Sequence, residues 1–190
     1  MRPFAAVFLL TFLASGAAAE ARDPAPLAMP TTGPASAVPE WSDFCRRFPF
    51  QCRAGKTLDE VVKFDAATLR TLAGVNRIVN RNVQETTDPA HWGVEDHWDL
   101  PTDGLGDCED YALEKRRLLV ERGFPRSALA IAIAWTAERQ GHAVLLVRTE
   151  GGDIVLDDGI DEIRFWCETD YRFVKRQSNT DENEWVSLYG

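Results

Sequence analysis

Several features are scarce in this 190-residue chain, and each scarcity excludes a class of protein. Its 21 lysine and arginine residues are outnumbered by 30 aspartate and glutamate residues, which gives a formal net charge of −9. Such a chain lacks the basic surface with which proteins bind nucleic acid. Beyond residue 19 no apolar run approaches the roughly 20 residues that span a bilayer. We therefore expect no nucleic-acid partner and, once the N-terminal segment is removed, no integral membrane protein.

Histidine and cysteine are also scarce, with three and four residues. They do not show the close paired spacing of a zinc site, so zinc is not expected. Cys167, within Phe165-Trp166-Cys167, is interpreted as a buried structural thiol. The few groups capable of thiol chemistry can therefore be considered one by one.

The N-terminus has the pattern of an export signal. Met1-Arg2-Pro3 precedes an apolar segment from Phe4 to about Ala14, and small residues ending in Ala17-Ala18-Ala19 precede Glu20. This pattern predicts a signal peptide over residues 1–19, with an uncleaved anchor as the alternative. Export to a bacterial periplasm would place the chain where structural disulfides persist.

The remaining chain is long enough for one domain with a single core. Residues 20–40 are rich in proline, alanine, serine and threonine, which predicts a flexible tether. The fold is expected to begin at Trp41 and to occupy residues 41–190. Near its start, Cys45 and Cys52 suggest a local disulfide, and two separately buried thiols are the alternative.

Two helices are predicted in the first part of this domain. Apolar residues recur at helical spacing from Ala66 to about Val83, behind Asp65 as the N-cap. A second helix follows Asp107 as its N-cap and ends at about Arg122, because Gly123 is a typical helix terminator. The segment between the two helices, residues 91–106, has no consistent period and is predicted to be a loop.

Short apolar runs separated by turn residues then replace the helical pattern. They predict sheet strands at Leu129–Trp135, Ala143–Val147 and Ile154–Leu156, with edge strands at Tyr171–Val174 and Trp185–Leu188. Helices followed by strands indicate an α+β domain in which N-terminal helices pack on an antiparallel sheet.

The candidate nucleophile is Cys108, which stands where the second helix begins. Unpaired N–H groups and a partial positive charge at a helix N-terminus favour the reactive thiolate. Of the three histidines, His91 and His97 fall in the irregular loop, whereas His142 follows Gly141 at the start of a strand. His142 is therefore the preferred general base.

A carboxylate should fix the tautomer of this imidazole, and Asp157-Asp158 closes the next strand. If the two strands form a hairpin with Arg148 opposite Asp153, Asp157 lies on the same face as His142, about 7–8 Å away between backbones. Asp158 would then point to the other face. We therefore prefer Asp157 as the orienting carboxylate.

Other turn geometries lead to different choices. A two-residue turn at Gly151-Gly152 keeps the parity but places Asp161 opposite His142. A loop of odd length favours Asp158 instead. The order Cys, His, Asp on helix, strand and strand fits the papain-like and transglutaminase-like layout for thiol acyl transfer.

The chain resembles the bacterial transglutaminase-like cysteine proteinases, and the similarity covers roughly Trp41 to Leu188. Six blocks carry it: Val75-Asn76-Arg77-Ile78-Val79-Asn80, Gly93-Val94-Glu95-Asp96-His97-Trp98, Gly106-Asp107-Cys108-Glu109-Asp110-Tyr111-Ala112, Gly141-His142-Ala143-Val144-Leu145, Val155-Leu156-Asp157 and Phe173-Val174-Lys175-Arg176-Gln177-Ser178. The block around Cys108 is the most specific of the six. The resemblance implies a transglutaminase-like fold.

The resemblance also assigns roles to single residues. It implies that Cys108 is the nucleophile, His142 the base and Asp157 the orienting carboxylate. At the next position this chain has Asp158, where many relatives have asparagine, and a second carboxylate there leaves the choice between the two open. For the oxyanion hole we consider the backbone N–H of Cys108 and the indole N–H of Trp98.

Three carboxylates beside the thiol raise an electrostatic question. Asp107, Glu109 and Asp110 should raise the pKa of Cys108 and oppose the effect of the helix end. They could simply cap the helix. Alternatively they bind Ca²⁺, a cation suited to clustered carboxylates, and the resemblance to calcium-dependent relatives supports this second interpretation.

The sequence therefore predicts a periplasmic cysteine endopeptidase that acts through a thioester. Its expected substrate is an exported or surface-anchored protein, since the best-understood relatives clip cell-surface adhesins and so control biofilm attachment. An inner-membrane regulator is a further partner that the sequence leaves open. Transglutaminase-type amide transfer and a catalytically inactive peptide-binding module are the alternatives.

Overall fold

Helices dominate the first half of the protein and strands the second. The structure is a computed structural model that describes residues 28–52 and 59–188. In chain order its elements are β1 (Thr31–Ala35), α1 (Pro39–Arg47), α2 (Ala66–Asn82), β2 (Gln84–Glu85), α3 (Asp88–His91), β3 (Leu105–Gly106), α4 (Cys108–Glu121), β4 (Leu129–Trp135), β5 (Gly141–Thr149), β6 (Gly152–Leu156), β7 (Arg164–Phe165), β8 (Arg172–Gln177) and β9 (Trp185–Leu188). The predicted signal peptide and the first part of the predicted tether lie outside the described residues.

Local sequence explains both long helices. The Asp65 side chain accepts a hydrogen bond of 2.8 Å from the Thr68 N–H, which caps α2 at the predicted residue. Helix α4 ends just before Gly123, whose φ of +85° suits glycine. None of the helices in the described ranges has the length and apolar composition needed to cross a membrane.

Within the described residues the main sheet is antiparallel and has seven strands, in the order β1-β9-β8-β4-β5-β6-β7. This architecture confirms the predicted α+β fold with helices packed on an antiparallel sheet. Both strands that were predicted at the edge lie inside the sheet. The segment predicted at Tyr171–Val174 corresponds to the start of β8, between β4 and β9, and Trp185–Leu188 is β9, between β8 and β1.

Apolar side chains cover both faces of this sheet. Along β5, Leu145 and Val147 join the larger core beneath the helices, while Val144 and Leu146 join a smaller cluster on the opposite face. Because both faces are buried, the central strands are apolar throughout instead of alternating with polar residues. Helix α4 packs against β5, and this packing brings the predicted nucleophile and base to the same end of the sheet.

The folded part of the chain begins before Trp41. Strand β1 pairs with β9, α1 starts at Pro39, and the Met29 N–H donates a 2.7 Å hydrogen bond to Asp153. Strand β1 and the start of α1 therefore lie in the part of the chain whose composition suggests a tether. Pairing with β9 outweighs the weak strand preference of a segment containing Gly33 and Pro34.

Cys45 and Cys52 form the predicted disulfide, with Cα atoms 5.3 Å apart. Replacing both by serine is expected to reduce the free energy of unfolding by about 2 kcal/mol. Without the crosslink the unfolded chain gains conformational entropy, and the short loop between the two cysteines makes this gain modest. Urea unfolding of the double variant measures this loss. Serine variants as stable as the oxidised protein would show that the bridge contributes nothing.

Cys167 does not have the predicted buried position. It is an exposed free thiol in the single-turn helix Trp166–Glu168 that follows edge strand β7. The turn directs Trp166 toward the smaller apolar cluster, and the next residue consequently faces solvent. Cys167 is therefore open to thiol reagents.

Candidate active site

Cys108 is the first residue of α4, as the sequence predicts. Its thiol donates a hydrogen bond of 3.2 Å to Oε2 of Glu109. The backbone N–H of Ala143 donates to the same sulfur over 3.4 Å. Since Ala143 follows His142 in β5, this contact fixes the sulfur beside the predicted base.

Opposing effects act on the Cys108 thiol. Burial raises its pKa well above the ordinary value, and the negative charges of Glu109 and Asp158 add to the rise. The Ala143 N–H acts in the opposite direction because it stabilises the thiolate. The thiol therefore needs a nearby base or cation to ionise.

His142 lies at the start of β5, and its side chain is 12% exposed. Its Nε2 atom is 3.0 Å from Oδ1 of Asp157, so Nδ1 is the nitrogen left for a proton from a nucleophile. Burial lowers the pKa of His142, but the hydrogen bond to Asp157 and the charge of Asp158 outweigh burial and raise it. The structure thus brings Cys108, His142 and Asp157 to one end of the sheet.

Asp158 does not point away from the imidazole, as strand alternation had predicted. Its Oδ1 atom lies 3.6 Å from Nε2 of His142. The reason is that pairing between β5 and β6 ends at Leu145 and Leu156, so alternation no longer governs the residues beyond Leu156. Burial, followed by the hydrogen bond with Asp157, raises the pKa of Asp158 to about 6.

Two further residues hold Asp157 in place. The Tyr171 hydroxyl donates a 2.5 Å hydrogen bond to Oδ2 of Asp157, and its ring centroid lies 5.1 Å from that of His142. The Asn80 side chain donates to the Asp157 backbone carbonyl over 2.9 Å. Although burial opposes ionisation, hydrogen bonds from His142, Asp158 and Tyr171 lower the pKa of Asp157.

Replacing Tyr171 by phenylalanine is expected to destabilise the protein in a pH-dependent way. A hydrogen bond to a charged group contributes about 2 kcal/mol. Because Tyr171 lowers the pKa of Asp157 in the folded protein, this contribution is present above the unfolded pKa of about 4 and disappears as the pH falls through the folded value. Urea unfolding should therefore show the same large difference at pH 7 and at pH 5, and a smaller one only in strong acid, below the lowered folded pKa of Asp157. A variant as stable as the wild type at pH 7 would mean that the hydroxyl does not act on Asp157.

The structure brings only part of the predicted metal-ligand set together. Asp107 and Glu109 each place a carboxylate oxygen within 4.8 Å of the other, and Asp88 from α3 joins them at that separation. Asp110 instead accepts a 2.7 Å hydrogen bond from the Asp99 N–H. We call the Asp88, Asp107 and Glu109 carboxylates the acidic cluster.

The acidic cluster has the character of a cation site. Burial and the charge of Asp107 raise the pKa of Glu109 to about 10. Burial likewise raises the pKa of Asp88. Oδ1 of Asp107 is buried without a hydrogen-bond partner, and the Asp107 side chain does not cap α4. A hard divalent cation would satisfy this oxygen and offset the repulsion between the carboxylates.

Trp98, the candidate oxyanion donor, is buried beside the site. It lines a cavity with Cys108 and His142. Burial and the charge of Glu40 raise the pKa of the nearby Asp96 to about 6, and the Trp98 side chain opposes this rise. The role of the indole N–H in an oxyanion hole stays a prediction.

Two cavities meet at the thiol and the imidazole. One, of about 450 Å³, includes Trp98, the acidic cluster and Lys175 in its lining. The other, of about 770 Å³, includes Tyr111, Asp158 and Tyr171. Cys108 and His142 line both. An extended chain lying across the two cavities would present a backbone carbonyl to the thiol.

Sequence reasoning had missed Asp88, Tyr171 and Asn80. Asp88 and Tyr171 lie outside the blocks of the family resemblance, and no local pattern marked them. A sequence signal existed for Asn80, because it follows Asn76 by one helical turn on α2, and Asn76 interrupts the apolar face of Leu72, Val75 and Val79. Both amides bind carbonyls of the segment after β6.

Comparisons with known proteins identify the family to which this fold belongs. The family model described as bacterial transglutaminase-like cysteine proteinase matches residues 31–190. No curated protein matches the chain. Among solved structures, calcium-bound LapG of Legionella pneumophila is similar with 30% sequence identity and a TM-score of 0.54, covering 65% of this chain and 71% of LapG.

The EGTA-treated form of Legionella pneumophila LapG is similar to nearly the same extent. Its TM-score is 0.53 at 30% identity, and the match covers 65% of this chain and 69% of LapG. The family match, the sequence identity to LapG and the histidine-carboxylate pair near the thiol all indicate the same family. The chain therefore belongs to the bacterial transglutaminase-like cysteine proteinases and is a cysteine peptidase.

Proposed function

We propose that the protein is a periplasmic endopeptidase that cleaves an exported or surface-bound protein with Cys108, His142 and Asp157. The observation that carries this proposal is the 3.0 Å contact between Nε2 of His142 and Asp157. Next to His142 in β5, the backbone N–H of Ala143 donates a hydrogen bond of 3.4 Å to Sγ of Cys108. A binding module would not need a thiol, a base and an orienting carboxylate in this arrangement.

The residues support hydrolysis in two stages. Sγ of Cys108 attacks the peptide carbonyl carbon, His142 accepts the thiol proton at Nδ1 and passes it to the leaving amine, and a thioester remains. His142, neutral again, takes a proton from the water that attacks the thioester and passes it to the departing sulfur, and the carboxylic acid is released. Asp157 stabilises the imidazolium and fixes its tautomer.

Donors for the developing oxyanion are assigned from position alone. The Cys108 N–H at the start of α4 is one of the unpaired donors of a helix N-terminus. Trp98, which lines a cavity together with Cys108 and His142, is retained as the second candidate.

Calcium is the proposed cofactor, held by Asp88, Asp107 and Glu109. The calcium-bound form of the similar LapG supports this assignment. The cation would supply positive charge beside Cys108 and favour the thiolate. Asp110, the third ligand expected from sequence, stays a prediction beside its hydrogen bond to Asp99.

The proposed substrate is a large cell-surface adhesin, clipped so that attachment in a biofilm is controlled. The family resemblance supports this class of substrate, and the Cys45–Cys52 disulfide fits the oxidising periplasm. The predicted signal peptide would deliver the chain there. An inner-membrane regulator is a further proposed partner.

Product mass distinguishes hydrolysis from acyl transfer, because a thioester can react with either water or an amine. The enzyme is incubated with a surface-protein substrate and a primary amine in calcium buffer. Hydrolysis yields two fragments whose masses sum to that of the substrate plus one water. A fragment or intact protein carrying the amine would instead favour the transglutaminase-type alternative, and unchanged substrate would favour the binding module.

A further inference from the structure

Lys115 is a buried cation on α4 that the proposed mechanism does not use. It follows Cys108 by seven residues, which places it two turns and about 10 Å further along the helix on the same face. The side chain is fully buried at 0% exposure. Its Nζ atom has no hydrogen-bond partner among the described residues and lies 5.6 Å from the centre of the Tyr111 ring.

The neighbouring Arg116 shows how this fold otherwise accommodates a buried cation. Its guanidinium bonds to the Glu182 carboxylate and to the backbone carbonyls of Gln51 and Leu129. In the part of the chain that the structure describes, Lys115 has no such ligands. Burying an ammonium in this way is unfavourable, and an apolar side chain of similar size would fill the space without that cost. A structural need for packing therefore does not explain a lysine here.

The charges around Lys115 come from one segment of the chain. Three carboxylates between β6 and β7 act on its ammonium: those of Asp158, Asp157 and Asp161. Burial lowers the pKa of Lys115 to about 8, and these carboxylates oppose that effect. The ammonium in turn favours the ionised form of Asp158.

His142 faces charged or titratable groups from three sides. Asp157 and Asp158 approach from the segment after β6. The Tyr171 ring packs against it ahead of β8. Cys108 and Lys115 belong to α4, and the positive charge of Lys115 opposes protonation of His142.

We propose that Lys115 is a positioning residue whose buried ammonium balances the paired carboxylates of Asp157 and Asp158 behind His142. Two ionised carboxylates, one imidazolium and one ammonium have a net charge of zero. Without the ammonium this buried group would carry one unbalanced negative charge, and His142 would hold its proton too strongly to pass it to a leaving amine. This inference rests on the proposed catalytic roles.

The test combines Lys115→Met with Asp158→Asn. In calcium buffer Lys115→Met should lower kcat about tenfold with KM unchanged, within the range of general acid-base effects. The melting temperature should fall, because Lys115→Met leaves the buried carboxylates uncompensated, and it should recover in the double variant. Adding Asp158→Asn restores the charge balance and should recover most of the lost kcat. Purely structural effects would add in the double variant instead of cancelling.

An NMR titration gives a second readout that does not depend on peptidase activity. In a Cys108→Ala background, the titration midpoint of His142 should move upward with Lys115→Met and return with Asp158→Asn. Since the chain has three histidines, the His142 signal can be followed directly. Lys63→Met, at an exposed lysine, is the matched control and should leave the midpoint unchanged.

The outcomes separate this inference from the proposed function. If the protein proves to cleave nothing but the His142 midpoint moves as described, the charge balance stands and the catalytic assignment fails. An unchanged midpoint in folded Lys115→Met would overturn the inference. A midpoint shift that Asp158→Asn does not reverse would overturn it as well.

Discussion

Replacing Cys108 by alanine is expected to abolish substrate cleavage, with a loss on the order of 10⁴-fold or more, as for removal of other enzymatic nucleophiles. The thioester cannot form without the sulfur, and no other thiol can take its place. Cys45 and Cys52 are joined in a disulfide, and Cys167 is a solvent-exposed residue of the turn after β7. Cleavage rates of wild-type and variant proteins measure the loss.

Cys167→Ala is the matched control for this prediction. It removes the other free thiol and should retain full activity. In this background a peptidyl electrophile that reacts with thiols should modify Cys108 alone, and the modified residue can be located by mass spectrometry. An active Cys108→Ala protein, or an inactive Cys167→Ala protein that remains folded, would contradict the assignment of the nucleophile.

Removing calcium is expected to reduce activity on the order of 100-fold, which corresponds to a change of about two pKa units at the thiol. The physical reason is the repulsion between the buried carboxylates of the acidic cluster and a thiolate at Cys108. A chelator should lower the rate, and added calcium should restore it, whereas magnesium should do so poorly because it requires a smaller octahedral site. Calcium-independent cleavage would contradict the cofactor assignment.

Calcium should also stabilise the fold, since a ligand that binds the folded state at 100 times its dissociation constant contributes about 2.7 kcal/mol. Thermal unfolding with and without calcium measures this effect independently of activity. Asp88→Asn and Asp107→Asn should weaken the response, and Glu114→Gln, whose carboxylate pairs with Arg117 on the same helix, should not. Comparison with Asp110→Asn shows whether that residue also contributes a ligand.

Local sequence signals predicted the elements that hold the nucleophile and the base. A cap residue, an apolar period and a terminating glycine define α2 and α4 within a few residues. The hairpin register with Arg148 opposite Asp153 is also correct, because turn length and apolar pattern together determine it. Residue alternation from that register then placed Asp157 beside His142.

Contacts between distant segments could not be predicted in the same way. Strand β1 has neither apolar period nor strand composition, and it forms because β9 offers a free edge. Asp88 joins Asp107 and Glu109 only through the placement of α3. Asp158 approaches His142 because the strand pairing that would have turned it away has ended. Each of these three contacts depends on how distant segments pack together, and no local pattern in the sequence reveals that packing.

The most direct test compares new N-termini after wild-type and Cys108→Ala proteins are incubated with surface-protein extracts in calcium buffer. The proposed function predicts a small set of new N-termini that appear with the wild-type enzyme and are absent with the variant and after chelation. Identical N-termini in both samples, or amine adducts without new N-termini, would contradict a calcium-supported endopeptidase built on Cys108.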